Sequence, residues 1–402
     1  MKKILLVFLH GLSLASLIWI GWTAYLAVQR PSIGAYWAYQ SGTVYSIDAG
    51  HPSAGAFEIG DRILGGVGQS PSDLYRLGGK TNGEIIQITV ERNGQAREVN
   101  VLIAPSSLEE IFGRFSAILA ALGFWLAGSY VLAFSRSGRQ SILFFFLCLS
   151  TIVALTCGLI SSYGPAWTKI GFHCGLLWLG VFIAQLHLIF PSPRLPEPHR
   201  HNIGLALMII TGLLCISHLA ASLTGISLLP TSLVWAITLT MFGLEIGLAV
   251  MLVFRSYRKS NTSVERIQTG IITLSCVLGA IPVVGLILIP QMILGYPLVS
   301  SSIAFLSLLA VPVGYGFAIF RYKLIGVKET VNRGAAILLI TLGCYSLGMT
   351  FGQTLGFYHH TVLILLGVAA ASLVLFFALE WRLKQPMIDP RQRAPKESFQ
   401  SW

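Results

Sequence analysis

Glu245 is the residue of this 402-residue chain whose position most demands a chemical explanation. It stands in Met241-Phe242-Gly243-Leu244-Glu245-Ile246-Gly247, deep inside an apolar run. A carboxylate at membrane depth costs several kcal/mol, so it must face other helices and be paired or protonated. Gly243 and Gly247 form a GxxxG spacing that lets a neighbouring helix come close. Two readings stay open: a ligand contact or switch, and a structural hydrogen bond to another helix. His218, in the preceding apolar run, is the candidate partner. His10, His173 and His187 read as interface or core residues. All six cysteines (Cys148, Cys157, Cys174, Cys215, Cys276, Cys344) fall in apolar runs, so no disulfide framework is implied.

Enzyme signatures are missing. Zinc hydrolysis on a helix needs His-Glu-x-x-His, which the chain lacks. Gly-x-Ser-x-Gly is absent as well. Gly78-Gly79-Lys80-Thr81 mimics the end of a phosphate-binding loop, but Leu74 stands where that loop needs glycine, and a predicted helix precedes it where a strand should. The sequence therefore assigns no catalytic residue, no metal ligand and no cofactor, and the expectation is a protein that is not an enzyme.

The elements that position these residues follow from composition. Apolar residues make up 54% of the chain and charged residues 11%, against roughly 25% charged in soluble domains; mean hydropathy is +0.73. A span needs about 20 apolar residues. The sequence predicts ten: 4–27, 113–134, 141–162, 170–190, 203–225, 231–254, 268–290, 299–320, 334–352 and 361–380. Residues 1–27 could be read as a signal peptide, but the apolar stretch is long for one and Ala24–Val28 is a poor cleavage site, so an uncleaved anchor is expected. The 27 Lys+Arg and 16 Asp+Glu give a net charge of +11. The basic residues cluster in alternate loops, as in Arg255–Arg266 and Arg321–Arg333, whereas the turns near 226–230, 291–298 and 353–360 carry none. That asymmetry puts both termini in the cytoplasm. The surplus is a topology signal whose partner is the anionic surface of a lipid bilayer rather than nucleic acid.

Residues 31–108 differ from everything around them. Nine of the chain's 16 acidic residues fall between 48 and 110. Val44–Ile47, Ile85–Val90 and Val99–Ile103 alternate β-branched and polar residues, the mark of half-buried strands. Asn93-Gly94 predicts a tight hairpin, because both turn positions want positive φ. Ser72–Leu77 opens with an N-cap residue and predicts a short helix. This order resembles a bacterial PDZ domain: Gly42-Thr43-Val44, then His51-Pro52-Ser53-Ala54-Gly55-Ala56, then Gly60-Asp61-Arg62-Ile63-Leu64, then the hairpin around Asn93-Gly94. Val67 departs from the usual Asn. PDZ domains add an extended peptide to a sheet edge and capture its carboxylate in a loop. The resemblance implies a peptide site at Gly34, Ala35, Tyr36 and Val44, with Leu74 and Leu77 on the groove helix.

Arg321-Tyr322-Lys323-Leu324-Ile325-Gly326-Val327 with Val331-Asn332-Arg333-Gly334, and His187-Leu188-Ile189-Phe190-Pro191, resemble segments of multi-span sensor histidine kinases. One span, an external PDZ-like domain and then a bundle resemble the input half of competence-type quorum-sensing kinases, which detect a lipidated peptide pheromone at the membrane. Residues 380–402 are too short for kinase output domains of roughly 50–200 residues each, and contain no His. The expected protein is an α-helical polytopic membrane bundle of about ten transmembrane helices with one small α+β PDZ-like extracytoplasmic domain. Its parts are an anchor (1–30), the PDZ-like domain (31–108), a nine-helix bundle (109–380) and a cytoplasmic tail (381–402). The expected function is a receptor in the cytoplasmic membrane that binds a hydrophobic peptide or protein C-terminus through the PDZ-like domain, the helix bundle or both, and signals to a cytoplasmic partner, for which a separate kinase is the candidate. The alternatives are a PDZ-bearing scaffold for a protease or envelope protein, and a transporter with a midplane site near Glu245.

Overall fold

Long uncharged runs become helices because a segment in lipid must satisfy its own N–H and C=O groups. A computed structural model of the chain describes residues 2–320 except 38–40, 49, 67–81, 106–107, 135–137, 162–164, 192, 194, 225–230, 259–261, 291–297 and 300. Leu74 and Leu77 with their predicted helix, the predicted spans 334–352 and 361–380, Cys344, the loop 321–333 and the tail lie outside the described residues. Helices α1 (Lys2–Val28), α2 (Leu108–Phe134), α3 (Arg139–Ile160), α4 (Ala166–Ile189), α5 (Glu197–Thr224), α6 (Thr231–Arg258) and α7 (Ser263–Val283) follow the first seven predicted spans. These 7 are the described helices long and apolar enough to cross a membrane, and they mark a multi-pass membrane protein.

Their ends obey helix chemistry. Thr262 Oγ1 accepts from Glu265 N at 3.2 Å at the start of α7, and Arg255 and Arg258 lie in the last turn of α6, where cations complement the dipole. The eighth predicted span departs from expectation. Within that span the described residues form two helices, α8 (Ser301–Ser307) and α9 (Ala310–Phe320). Between them Leu308, Leu309 and Val311 donate three residues back, to Phe305, Leu306 and Leu308, at 3.0–3.2 Å. Pro312 is the cause: it has no N–H for the carbonyl four residues earlier, and its ring crowds that carbonyl. Pro282 disturbs α7 in the same way, and a π-helical turn, Val284–Leu288, follows it.

The bundle core joins Phe124 and Val131 of α2, Phe144, Leu147 and Ile152 of α3, Leu186 of α4, Ile272 of α7 and Tyr315 of α9. Helix α4 packs against α3, α5 and α6, while α2 packs against α1, α3, α8 and α9. Exposed large apolar side chains line α1, α5 and α6, as a helix facing acyl chains requires.

The extramembrane module is built from β1 (Pro31–Ser32), β2 (Ala35–Trp37), β3 (Val44–Ile47), β4 (Arg62–Gly66), β5 (Ile85–Arg92), β6 (Gln95–Leu102) and β7 (Ala104–Pro105). β4–β5–β6 form an antiparallel sheet, β2 pairs with β3, and β1 pairs with β7. The alternation read from the sequence is the burial pattern: Ile88, Val90, Val101 and Ile103 are fully buried with Ile33, Val44 and Ile63. Arg92 faces Gln95 across the hairpin turn, whose Asn93 and Gly94 have φ of 52° and 76°.

Candidate functional site

Two places bring together residues that could act: the root of the module, and a polar seam inside the bundle.

At the root, β1 and β7 pair in register, Pro31 with Pro105 and Ser32 with Ala104. The chain thus leaves α1 and re-enters α2 through one closed strand pair. His51, which is buried, tightens this clamp. Its Nε2 lies 3.1 Å from Ser32 O, and its Nδ1 accepts from Ser53 N at 3.1 Å. Those two bonds require the tautomer with hydrogen on Nε2. Ser53 Oγ in turn donates to Leu102 O at 3.0 Å and accepts from Leu102 N at 2.8 Å. The sequence motif His51-Pro52-Ser53 therefore ties β1 to β6.

The residues expected to form the peptide site sort unevenly. Gly34 has φ +75° and no room for a Cβ beside the His51 ring. Its N–H already donates to Ser32 Oγ at 3.2 Å, and its carbonyl accepts from Asp48 N. Ala35 is buried and pairs with Ile47; Tyr36 is half-exposed and pairs with Ser46. Val44 is a core residue, with its N–H and C=O taken by Asp61 O and Gly60 N. The β4-to-β5 side of the module hides an ion cluster that sequence reasoning misses. Arg92 binds Asp61 through Nε and Nη2 at 2.8 and 2.7 Å and reaches Glu58 through Nη1 at 2.7 Å. The hydrogen bonds from the Arg92 guanidinium hold the Asp61 carboxyl below its usual range, against the opposing effect of burial.

The seam runs between α4, α5 and α6. Glu245 is buried at 1% exposure. Its Oε1 accepts from Thr211 Oγ1 of α5 at 3.1 Å, while its Oε2 is buried with no hydrogen-bond partner among the described residues. That oxygen lies against Gly180 of α4, where a Cβ would overlap it. His218 is not its partner. It contacts Thr238 Oγ1 at 2.9 Å and His173 Nδ1 at 3.2 Å, because Thr238 lies seven residues, about 10 Å of helix, from Glu245. A methyl group placed on Gly243 or Gly247 would meet nothing within 4 Å; the two glycines sit two residues either side of Glu245, about 200° around the helix. The small residue that admits the carboxylate belongs to the other helix. Cys174 of α4 and Cys215 of α5 are neighbours across the same helix pair, and Gln185 Nε2 donates to Gly204 O at 3.2 Å towards the opposite membrane face.

Away from the seam, His187 Nε2 meets Tyr315 Oη at 2.5 Å, joining α4 to α9. His10 lies on the exposed face of α1, with Nδ1 2.8 Å from Leu6 O. On the lipid side of α3 and α4 a groove of about 300 Å³ is lined by Phe146, Val153, Cys174, Trp178 and Phe182, among others. Among the described residues no group of three or more His, Cys, Asp or Glu converges as a metal site.

A carboxyl oxygen without a donor can accept a hydrogen bond, a proton or a cation, and Thr211 is the donor that the described residues supply to this carboxyl group. Thr211→Val should therefore destabilise the wild-type bundle but be nearly neutral in a Glu245→Met background. The coupling expected is about 0.6 kcal/mol and at most about 1.7, read from a double-mutant cycle of unfolding in bicelles. Equal effects of Thr211→Val in both backgrounds would show that the bond contributes nothing.

Compared with protein-family models, with curated proteins and with solved structures, the chain matches none.

Proposed function

We propose that this protein is a membrane receptor whose PDZ-like module, outside the cytoplasmic membrane, binds a hydrophobic peptide or a protein C-terminus. The occupied module biases the packing of the helices, and a separate cytoplasmic kinase reads the change at the basic loops; both termini are cytoplasmic. One observation carries the reading: the β1–β7 strand pair closes the module directly onto α1 and α2. A module tethered only as bait, as in a scaffold, has no need of such a join. Helices α1 and α2 are themselves fastened by Ser13 Oγ to Ser129 Oγ at 2.6 Å and by Trp125 Nε1 donating to Ser13 O at 2.8 Å. Any change in the angle between β1 and β7 is passed to that helix pair. The aromatic groove on α3 and α4 offers a place for a lipid group carried by the ligand.

The coupling is tested by inserting Gly-Ser-Gly-Ser between Arg30 and Pro31 of the full chain in phospholipid nanodiscs. The probe is a pool of synthetic hexapeptides with apolar C-terminal residues and free carboxylates; the readout is hydrogen exchange. In the wild type the pool should protect the module and alter exchange in α1 and α2. In the insertion variant the module should stay protected while the helix response disappears. No protection of the module would end the peptide-binding reading, and a helix response that survives the insertion would end the coupling. A ligand can shift the helices only by binding one arrangement better than the other, so the two arms report separate links.

A further inference from the structure

Arg139 opens α3 and Arg200 lies in the first turn of α5, and the two meet at one end of the bundle. With Glu197, Pro198 and His201 they line a niche of about 460 Å³, within the roughly 300–1,000 Å³ range of ligand sites. Gln140 Nε2 reaches Ile189 O at 3.5 Å, tying the start of α3 to the end of α4 beside it. The Nε of Arg200 is buried and has no hydrogen-bond partner among the described residues. The planar fork of an arginine matches the paired oxygens of a phosphate or carboxylate, so two arginines on one niche favour such a group. Among the described residues Glu197 is the one acidic group lining the niche, against two arginines and a histidine. Both helices begin here, so the positive ends of two helix dipoles add to the field.

The niche also has a lipid-facing continuation. His201, Leu205 and Met208 lie at helical spacing on α5, and Leu205, Met208 and Ile209 are exposed. A molecule with its head at Arg139 and Arg200 would lay its tails along that apolar face. A soluble anion would gain nothing from it.

We propose that Arg139, Arg200 and His201 form a binding site for the phosphate of an anionic phospholipid headgroup at the membrane–water boundary. Basic pockets between spanning helices on the cytoplasmic side recognise such headgroups by charge and hydrogen bonding. The site is independent of the peptide module and of Glu245.

The test is thermal unfolding of the full chain in nanodiscs of phosphatidylcholine, with and without phosphatidylglycerol, because a ligand of the folded state raises its Tm. Phosphatidylglycerol should raise the Tm of the wild type by several degrees. Arg139→Gln and Arg200→Gln should each remove at least half of that rise, whereas Arg258→Gln, an exposed arginine at the end of α6, should leave it whole. Glu197→Gln, which removes the repelling charge, should enlarge it; this variant decides the matter if the arginine variants do not fold. A rise unchanged in Arg139→Gln and Arg200→Gln, or unchanged in Glu197→Gln when it stands alone, overturns the site. Glycerol 3-phosphate in pure phosphatidylcholine separates the sources: the same rise with that soluble ester overturns the lipid assignment.

Discussion

Replacing Arg92 with alanine is expected to destabilise the extramembrane module by about 1–3 kcal/mol, the usual loss when a buried acceptor is left without its donor. The size of the effect comes from what is left behind. Asp61 has 1% of its side chain exposed, and Arg92 supplies two of its hydrogen bonds, at 2.8 and 2.7 Å. Glu58 N donates a third, to Oδ2 at 2.8 Å, which cannot neutralise a buried charge alone. Glu58 is the control. Its side chain is 65% exposed, and Glu58→Gln should cost at most about 1 kcal/mol, as for surface pairs.

The pH dependence of the same contact has a definite sign. The folded-state pKa of Asp61 is depressed by Arg92, so the unfolded chain takes up the proton first as pH falls. The stabilisation is complete above the unfolded value of about 3.9 and is lost as pH falls from there through the lower folded value. Hydrogen exchange of the β5–β6 hairpin in the intact protein measures both effects. In Arg92→Ala the wild-type loss of protection below about pH 4 should disappear. Protection equal to wild type at neutral pH would remove the ion pair from any role in holding the module together.

The second large effect is expected at Gly175. A methyl group there would stand 2.7 Å from Ala154 N and 2.9 Å from Ala154 Cα. Both atoms belong to the backbone of α3, so no side chain can turn aside and the helices must part. Phe172 against Gly158 and Cys157 against Gly171 extend the same close-packed stripe. Overpacking costs about 1–3 kcal/mol where neighbours can adjust; with two rigid backbones, Gly175→Ala should reach the top of that range and Gly175→Val exceed it. Gly212 of α5 has nothing within 4 Å of its would-be methyl, so Gly212→Ala should be neutral or mildly stabilising. Thermal unfolding in nanodiscs compares them, and similar Tm values for Gly175→Val and Gly212→Ala would refute the close approach.

What could be read in advance was whatever depends on neighbours in sequence. Apolar length placed seven helices to within a few residues at most ends, and Asn93-Gly94 placed the hairpin because the φ requirement is local. The break at residues 308–309 was visible only as Pro312, whose effect on a single span depends on which carbonyl it deprives. Glu245 was legible as buried, since no acidic residue can face lipid cheaply. Its surroundings were not: Thr211 and Gly180 lie on other helices, and nothing in their own segments distinguishes them from other small residues. The GxxxG around Glu245 misled through geometry, since positions two away on a helix face the opposite side. The Arg92–Asp61 pair spans 31 residues, beyond any local rule, although a lone Asp in a Gly-Asp-Arg-Ile-Leu strand entry hints at a structural acceptor.

The β1–β7 pair also sets an order of events during synthesis. Residues 104–105 emerge after all of β2 to β6, so the module can close only when α2 is about to follow. Until then α1 waits in the bilayer without its companion. Its hydroxyls are prepared for the wait: Ser16 donates to Ser13 O at 2.8 Å, and Thr23 donates to Trp19 O and Ile20 O at 3.0 Å, all within the same helix. Ser13, by contrast, finds its hydroxyl partner, Ser129, on the helix that arrives later. The strand pair can therefore form only after every strand between α1 and α2 has been made.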